Sequence, residues 1–416
     1  MLTKWQWVLR QFTRKLWVRA SLFAMMGVLA ALISIVAAPF VPEDLAGTVG
    51  GKAVDAILNI LASSMLAVTT FSLSVMVSHY GSVTSNVTPR ATRLLLQDTT
   101  AQNALGTFMG SFLFSLVGII ALSTGLYGDN GRVILFAVTI LVVLLIVLTM
   151  LRWIDHLSSL GRMEEPTEKV ENATRDALRA WGEWPHYGAR PLGAIPEGAT
   201  PVFPGEIGYV QHFDLGSLNA AAESRGVEIH VTAPPGRFVH PREALAWVNG
   251  ETDEDAKAAV RSAFSIGDVR TYDSDPRFGL SVLAEIASRA LSPGINDPGT
   301  AIDIISRGVR VLAEWHEARP KGTDEREVSY PQVHVPGLDT DDLFEDVFTP
   351  IARDGASLVE VQIRLQKALA ALADIGGPAL APSARRQSAL ALERSDRGLE
   401  LEAERQRVRD VALAAG

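Results

Sequence analysis

Four apolar runs dominate the first third of this chain, at about 20–40, 55–78, 105–127 and 132–152. A membrane-spanning helix needs roughly 20 mostly apolar residues, and each run meets that length. Backbone polar groups inside hydrocarbon must be bonded within the protein, which restricts such runs to helices. The first, ASLFAMMGVLAALISIVAAPF, is closed by Pro39 and Pro42; it is too long for a signal h-region and has no small-residue cleavage site before Glu43 and Asp44. It therefore reads as a retained span. The last, VILFAVTILVVLLIVLTML, is apolar on every side and is predicted to be the most lipid-exposed.

Basic residues near the span ends set orientation. Lys4, Arg10, Arg14, Lys15 and Arg19 precede the first span, Arg90 and Arg93 lie between the second and third, and Arg152 and Arg162 follow the fourth. The two opposite loops hold only Lys52 and Arg132, each beside acidic residues. A multi-pass inner (plasma) membrane protein with both termini cytoplasmic is expected. Trp5, Trp7, Trp17 and Trp153 suit interfacial anchoring.

Charge divides the chain in the same way. Residues 1–160 carry ten Lys and Arg against six Asp and Glu, a balance of +4, whereas residues 161–416 carry 28 against 41, or −13. An acidic soluble part argues against nucleic acid as a partner. The chain has no cysteine, so disulfides and thiolate metal sites are excluded.

The second run, NILASSMLAVTTFSLSVMVS, carries a second pattern. Asn59, Ser63, Ala67, Thr70, Ser74 and Ser78 recur at steps of three and four, which places all six on one helix face. That stripe has two readings. It lines a wetted path, or its small residues pack against the third span. The third run contains Gly106-Thr-Phe-Met-Gly110 followed by Ser111, Ser115 and Gly118, small residues that let helices approach closely. Spans two to four hold no ionisable residue except at their ends, which disfavours a charge-relay pump. Asp55 near the outer end of the second span, and Arg90 and Arg93 on a short amphipathic helix begun by Thr88-Pro89, are pore-mouth or lipid-contact candidates. Simple topology-setting charge is the blander explanation of the arginines and the favoured one.

The rest of the chain divides by composition. Residues 1–153 form the transmembrane domain. Residues 154–206 read as a helical connector and a Pro/Gly-rich linker. Residues 207–250 alternate as strands around a Pro234-Pro235-Gly236 hairpin signal and predict a small β-barrel or sandwich-like unit. GRFVHPREALAWV is similar to the turn-and-strand pattern of barrel-sandwich hybrid carriers, but no lysine lies between Lys169 and Lys257 to be modified. Residues 251–416 read as mostly helical, with 319–338 as a loop and two helices at 341–374 and 384–413. The expected fold is an α-helical membrane protein with four transmembrane helices, plus a cytoplasmic α+β domain.

Two Asp-Pro pairs stand out. Asp275 and Asp297 fit N-caps, with Pro276 and Pro298 at first helical positions. The alternative is a ligand or metal cluster of Asp273, Asp275, Asn296 and Asp297. His212, His230 and His240 show no paired ligand spacing, and no phosphate-binding loop, nucleophile elbow or metalloprotease signature occurs. No metal, cofactor or catalytic residue is expected.

ILASSMLAVTTFSLSVMVS, SNVTPRATRLLLQD, LGTFMGSFLFSLV and above all DPRFGLSVLAEIASRALSPGINDPGTAID resemble the domain-of-unknown-function 2254 family of predicted bacterial integral membrane proteins. The likeness covers nearly the whole chain and departs from the family's Ser-Pro-Arg at Thr88-Pro89-Arg90. It implies four spans plus a cytoplasmic domain and no particular activity. Three functional classes follow: an oligomeric ion channel with a cytoplasmic vestibule, a membrane-anchored sensor or scaffold, and a membrane-bound enzyme. The hydroxyl stripe favours the first, and nothing positive supports the third. Membrane lipids, further copies of the chain and small inorganic ions are the expected partners.

Overall fold

The computed structural model describes residues 3–13, 15–36, 51–86, 88–96, 98–125, 128–159, 164–320 and 328–413. Pro39, Pro42, Gly47, Arg162 and Gly416 lie outside the described residues. The chain forms two compact units, residues 9–166 and residues 1–8 with 167–416.

The membrane unit holds helices α2 (Leu16–Val36), α3 (Gly51–Asn86), α4 (Pro89–Leu96), α5 (Thr99–Ser123) and α6 (Gly128–Ser159), besides the second half of α1 (Lys4–Thr13). Three segments are long and apolar enough to cross a membrane, Ala53–Gly81, Thr99–Ser123 and Arg132–Leu157. The first expected span differs. Within α2 the described apolar stretch, Ala20–Ala30, is shorter than a bilayer crossing. The helix α5 is the centre of the unit and packs on α2, α3 and α6. Its glycines make that possible: a Cβ on Gly110 would lie 2.6 Å from the Phe23 carbonyl oxygen, and one on Gly106 would lie 2.7 Å from the Phe23 ring. The small residues of the third run thus serve mainly the contact with α2. Asp98 caps α5 by accepting from the N–H groups of Thr100 (2.8 Å) and Ala101 (3.2 Å).

Residues 207–250 do not close on themselves as a barrel or sandwich. Among the described residues, eight strands build two sheets: β1 (Ala189–Pro191), β2 (Thr200–Val202), β3 (Gly208–Phe213), β4 (Glu228–Val231), β5 (Phe238–Val239), β6 (Ala246–Asn249), β7 (Phe264–Gly267) and β8 (Tyr330–Val335). One sheet runs β1-β8-β4-β6-β2 and the other β5-β3-β7. The strand β8 falls inside the stretch expected to be a loop, and it pairs parallel with both β1 and β4. Pro234-Pro235-Gly236 is no hairpin turn, because β4 and β5 belong to different sheets; Gly236, at φ +92°, carries the chain from one to the other. One apolar core holds both sheets together, with Phe213, Leu218, Ile229, Val231, Val248 and Val333 among its buried members. Helices α8 (Leu215–Glu223) and α9 (Glu254–Ser262) accompany the strands.

The remainder of the soluble unit is helical: α7 (Glu164–Glu183), α10 (Pro276–Ala290), α11 (Pro298–Ala318), α12 (Thr340–Asp354), α13 (Val359–Gly376), α14 (Ala381–Gly398) and α15 (Glu402–Arg409). The two expected C-terminal helices are therefore four. Two of the breaks approach closely: a Cβ on Gly398, at the end of α14, would lie 2.7 Å from the Ala356 backbone between α12 and α13.

Two of the expected interfacial tryptophans are instead buried. Trp153 lies in the core of the membrane unit. Trp7 stacks on the buried His212 of β3 at 5.3 Å in the soluble unit. Lys4 fixes that segment, with its N–H donating to Asp214 (2.7 Å) and its ammonium to the Ser262 and Phe264 carbonyls (2.6 and 2.9 Å).

Candidate functional site

The face of α3 that carries the hydroxyls is not used for packing inside the membrane unit. Val54, Leu58, Leu61, Met65, Ser72 and Met76 are buried, whereas Asn59, Ser63, Ala67, Thr70, Ser74 and Ser78 are all exposed. At 3.6 residues per turn the two sets are centred about 170° apart around the helix. Packing against α5 thus belongs to the apolar face. Three hydroxyls of the stripe donate back to their own helix: Ser63 to the Asn59 carbonyl (2.9 Å), Thr70 to Leu66 (3.0 Å) and Ser74 to Thr70 (2.9 Å). A hydroxyl oxygen keeps acceptor lone pairs when its proton is so committed. Exposed apolar residues flank the stripe, Leu66 and Leu73 on one side and Ile60 and Phe71 on the other. Asp55 is exposed near the start of the same helix, and Arg90 and Arg93 are exposed on α4.

In the soluble unit the Pro-Pro-Gly turn and the first Asp-Pro pair converge. They line one cavity of about 600 Å³, with Tyr209, Phe238, Arg237 and Arg277 around it. Asp275 is its buried anchor. Its carboxylate caps α10 by accepting from the Phe278 N–H (3.1 Å) and accepts from both Nε and Nη2 of Arg270 (2.6 and 2.9 Å). Burial pushes the Asp275 carboxyl up, and the Arg270 guanidinium opposes that shift. Gly236 presses against the same carboxylate, where a Cβ would collide with it. Arg237 pairs with Glu243 (2.7 Å), and Arg277 with Asp346 (2.7 Å) and Asp342. Each arginine of the cavity thus already faces a carboxylate, so the site is no bare anion cradle. It suits a ligand that offers both donors and acceptors, with an apolar face for the Tyr209–Phe238 pair, whose rings meet edge-on at 5.2 Å.

The second Asp-Pro pair lies elsewhere. Asp297 follows the far end of α10, where its N–H donates to the Ala290 carbonyl (2.8 Å). The 15 residues of α10 separate the two aspartates by about 22 Å along its axis. Asp297 caps α11, accepting from the N–H (3.1 Å) and the hydroxyl (2.5 Å) of Thr300; the Thr300 hydroxyl, then its N–H, lowers the Asp297 pKa. Asn296 takes φ +51° between the two helices. Asp273, Asp275, Asn296 and Asp297 therefore do not form one cluster, and only Asp275 reaches the cavity. Arg237, Arg270 and Tyr209 had no signal in the sequence: the carboxylates of the two arginines lie only six and five residues away, but that spacing does not mark a cavity, which the fold assembles from several segments.

Together these features define a mostly helical protein with three candidate membrane-spanning helices and a sheet-containing unit. The pattern of the family described as "Predicted membrane protein (DUF2254)" matches residues 13–371, and the chain belongs to that family. It is 27% identical over 262 residues to uncharacterized proteins of Mycobacterium bovis and Mycobacterium tuberculosis, an alignment covering 60% of this chain and 50% of each relative. The chain thus spans about half the length of the curated relatives it matches. No solved structure matches it.

Proposed function

We propose that the chain assembles as a homo-oligomeric ion channel in the inner membrane, with the hydroxyl face of α3 lining a shared path. In this reading α2 completes a fourth span, both termini are cytoplasmic and the soluble unit is a vestibule. One observation carries it: Asn59, Ser63, Ala67, Thr70, Ser74 and Ser78 point away from the helices their own chain supplies. A polar stripe with Leu66 and Leu73 on one flank and Ile60 and Phe71 on the other suits a helix that meets a neighbouring copy on each side and water between them. The lone pairs left on the back-bonded hydroxyls are neutral acceptors for water or ions. A path lined in this way sets no strong charge preference by itself.

Cysteine accessibility tests the path, since the native chain offers no competing thiol. Single cysteines at Ser63, Thr70 and Ser74 are expected to react with a membrane-impermeant thiol reagent. Cysteines at Met65 and Ser72, on the buried face, are expected to stay protected. A tryptophan at Thr70 should reduce ion flux in reconstituted vesicles while leaving the oligomer intact. A monomer in mild detergent, or equal protection of all five cysteines, would overturn the proposal. The cavity beneath Pro234–Gly236 favours one second reading, a membrane-anchored sensor or scaffold whose soluble unit binds a small polar ligand.

A further inference from the structure

The sheet brings together three ligating side chains that are far apart in sequence. Glu228 and His230 sit two apart on β4 and so share a face, and His334 of β8 is the register partner of His230. One donor atom from each lies within 4.8 Å of the other two, and no second such group occurs among the described residues. The His230 and His334 rings stack 4.4 Å apart, 13° from parallel. Glu228 Oε2 lies 3.9 Å from His230 Nε2, and Glu228 Oε1 lies 3.9 Å from His334 Nε2.

Hydrogen bonding makes this more than a cluster. His230 is 4% exposed, yet neither of its ring nitrogens has a hydrogen-bond partner among the described residues. A buried polar group left unpaired in this way costs on the order of 1–3 kcal/mol. His334 Nδ1 lies 3.2 Å from the Pro191 carbonyl oxygen. A carbonyl only accepts, so Nδ1 carries the proton and Nε2 presents a lone pair towards Glu228. A ring N–H held by a backbone carbonyl is the usual support of a metal-ligating histidine. Asn249 donates to Glu228 Oε2 (3.4 Å), which helps to hold the carboxylate.

We propose that Glu228, His230 and His334 bind a divalent first-row transition ion of the zinc class. Two imidazoles and one carboxylate are a donor set for such ions, and not for the harder calcium or magnesium. Ligation at about 2.0–2.1 Å sets tetrahedral donors about 3.3 Å apart. The two histidine–carboxylate spacings of 3.9 Å therefore close by somewhat less than an ångström, and His230 turns about χ2 without breaking a hydrogen bond among the described residues. Glu228 and His334 are partly exposed, so an ion reaches the site from solvent and keeps room for water.

The test uses the full-length, tag-free protein in detergent, stripped with a chelator and titrated with Zn²⁺ by calorimetry. One ion per chain is expected. His334→Ala and Glu228→Gln should each weaken binding by at least about tenfold, while His240→Ala, at an exposed histidine away from the cluster, should leave it unchanged. X-ray absorption on the zinc-loaded native protein should give an inner shell with scattering from two imidazoles, a measurement that needs no variant to fold. Absence of stoichiometric uptake, uptake indifferent to His334→Ala in a folded protein, or a zinc shell without imidazole scattering would each overturn the proposal.

Discussion

Several buried polar groups of the two units find their partners in different ways. In the membrane unit the partner is local: Thr69, Ser111, Ser115 and Thr139 all donate to the carbonyl four residues earlier in their own helix, at 2.6–2.9 Å. In the soluble unit the partner comes from a distant element. Buried Glu171 of α7 accepts from Arg307 and Arg310 of α11 at 2.5 and 2.8 Å, and Gln366 and Ser388 exchange hydrogen bonds between α13 and α14. The physical reason is solvent. Hydrocarbon supplies no substitute hydrogen bond, so a polar residue there carries its partner within its own turn. A water-soluble fold gains specificity by tying remote segments together and is exposed to loss when one member goes. Polar deletions should therefore be cheap in the membrane unit and costly in the soluble one, with steric changes the main hazard in the former.

The largest effect should come from Glu171. Replacing it with alanine leaves Arg307, itself only 11% exposed, with the half-exposed Asp303 as its remaining counter-charge, which should destabilise the soluble unit by about 3 kcal/mol. Chemical unfolding of the detergent-solubilised protein reads this. The same residue sets a pH dependence. Burial raises the Glu171 pKa, but hydrogen bonds and charge from Arg310 and Arg307 outweigh it and the net shift is downward from 4.5. A depressed carboxyl stabilises the fold above its unfolded pKa, and that stability is lost as pH falls through the folded value. The difference between wild type and Glu171→Gln should therefore be fully present at neutral pH and shrink below about pH 4.5. A difference that grew with acidity would contradict the ion-pair assignment.

Next in size is the contact between α2 and α5. Gly110→Val puts side-chain carbon against the Phe23 backbone, which cannot retreat as a flexible side chain would, and should cost about 2 kcal/mol or more. Ser111→Ala, one residue on, removes only a hydroxyl bonded to its own helix and should stay within roughly 0.5 kcal/mol. Thermal unfolding in detergent compares the pair. Equal losses would break the contrast between local and remote satisfaction.

The smallest effect belongs to Asp297. Asp297→Ala should destabilise the soluble unit by about 1 kcal/mol, and Asp297→Asn or Asp297→Ser should recover most of it, since both are good caps. Loss of function in a well-folded Asn or Ser variant would instead assign the carboxylate a ligand.

Much of the helical architecture was legible along the chain. Apolar run length marked α3, α5 and α6, and Pro276 and Pro298 marked the first turns of α10 and α11, because these signals act over a few residues. The hydroxyl face of α3 was visible as spacing, but its direction was not. Which way a face points depends on where the neighbouring helices pack, and Leu58, Leu61 and Met65 settle that through contacts with α5 and α6. The strand β8 was missed for a related reason. YPQVHV carries a proline and little alternation, and its partners β1 and β4 lie 139 and about 100 residues earlier in the chain. Pro234-Pro235-Gly236 gave a true turn and the wrong partner, since a turn signal does not state which sheet the next strand joins.

By itself, then, the sequence determined what local chemistry can decide: which segments are long and apolar enough to span a membrane, where helices begin, and which residues share one helix face. Tertiary structure alone decided which distant groups meet. Asp275 received the Pro-Pro-Gly turn, Glu171 received two arginines from α11, and His230 received His334 across a parallel pairing. Each of those meetings depends on how strands and helices separated by tens to more than a hundred residues are brought side by side. Composition and spacing do not encode that arrangement, because it is fixed by the burial of the whole core rather than by any one segment.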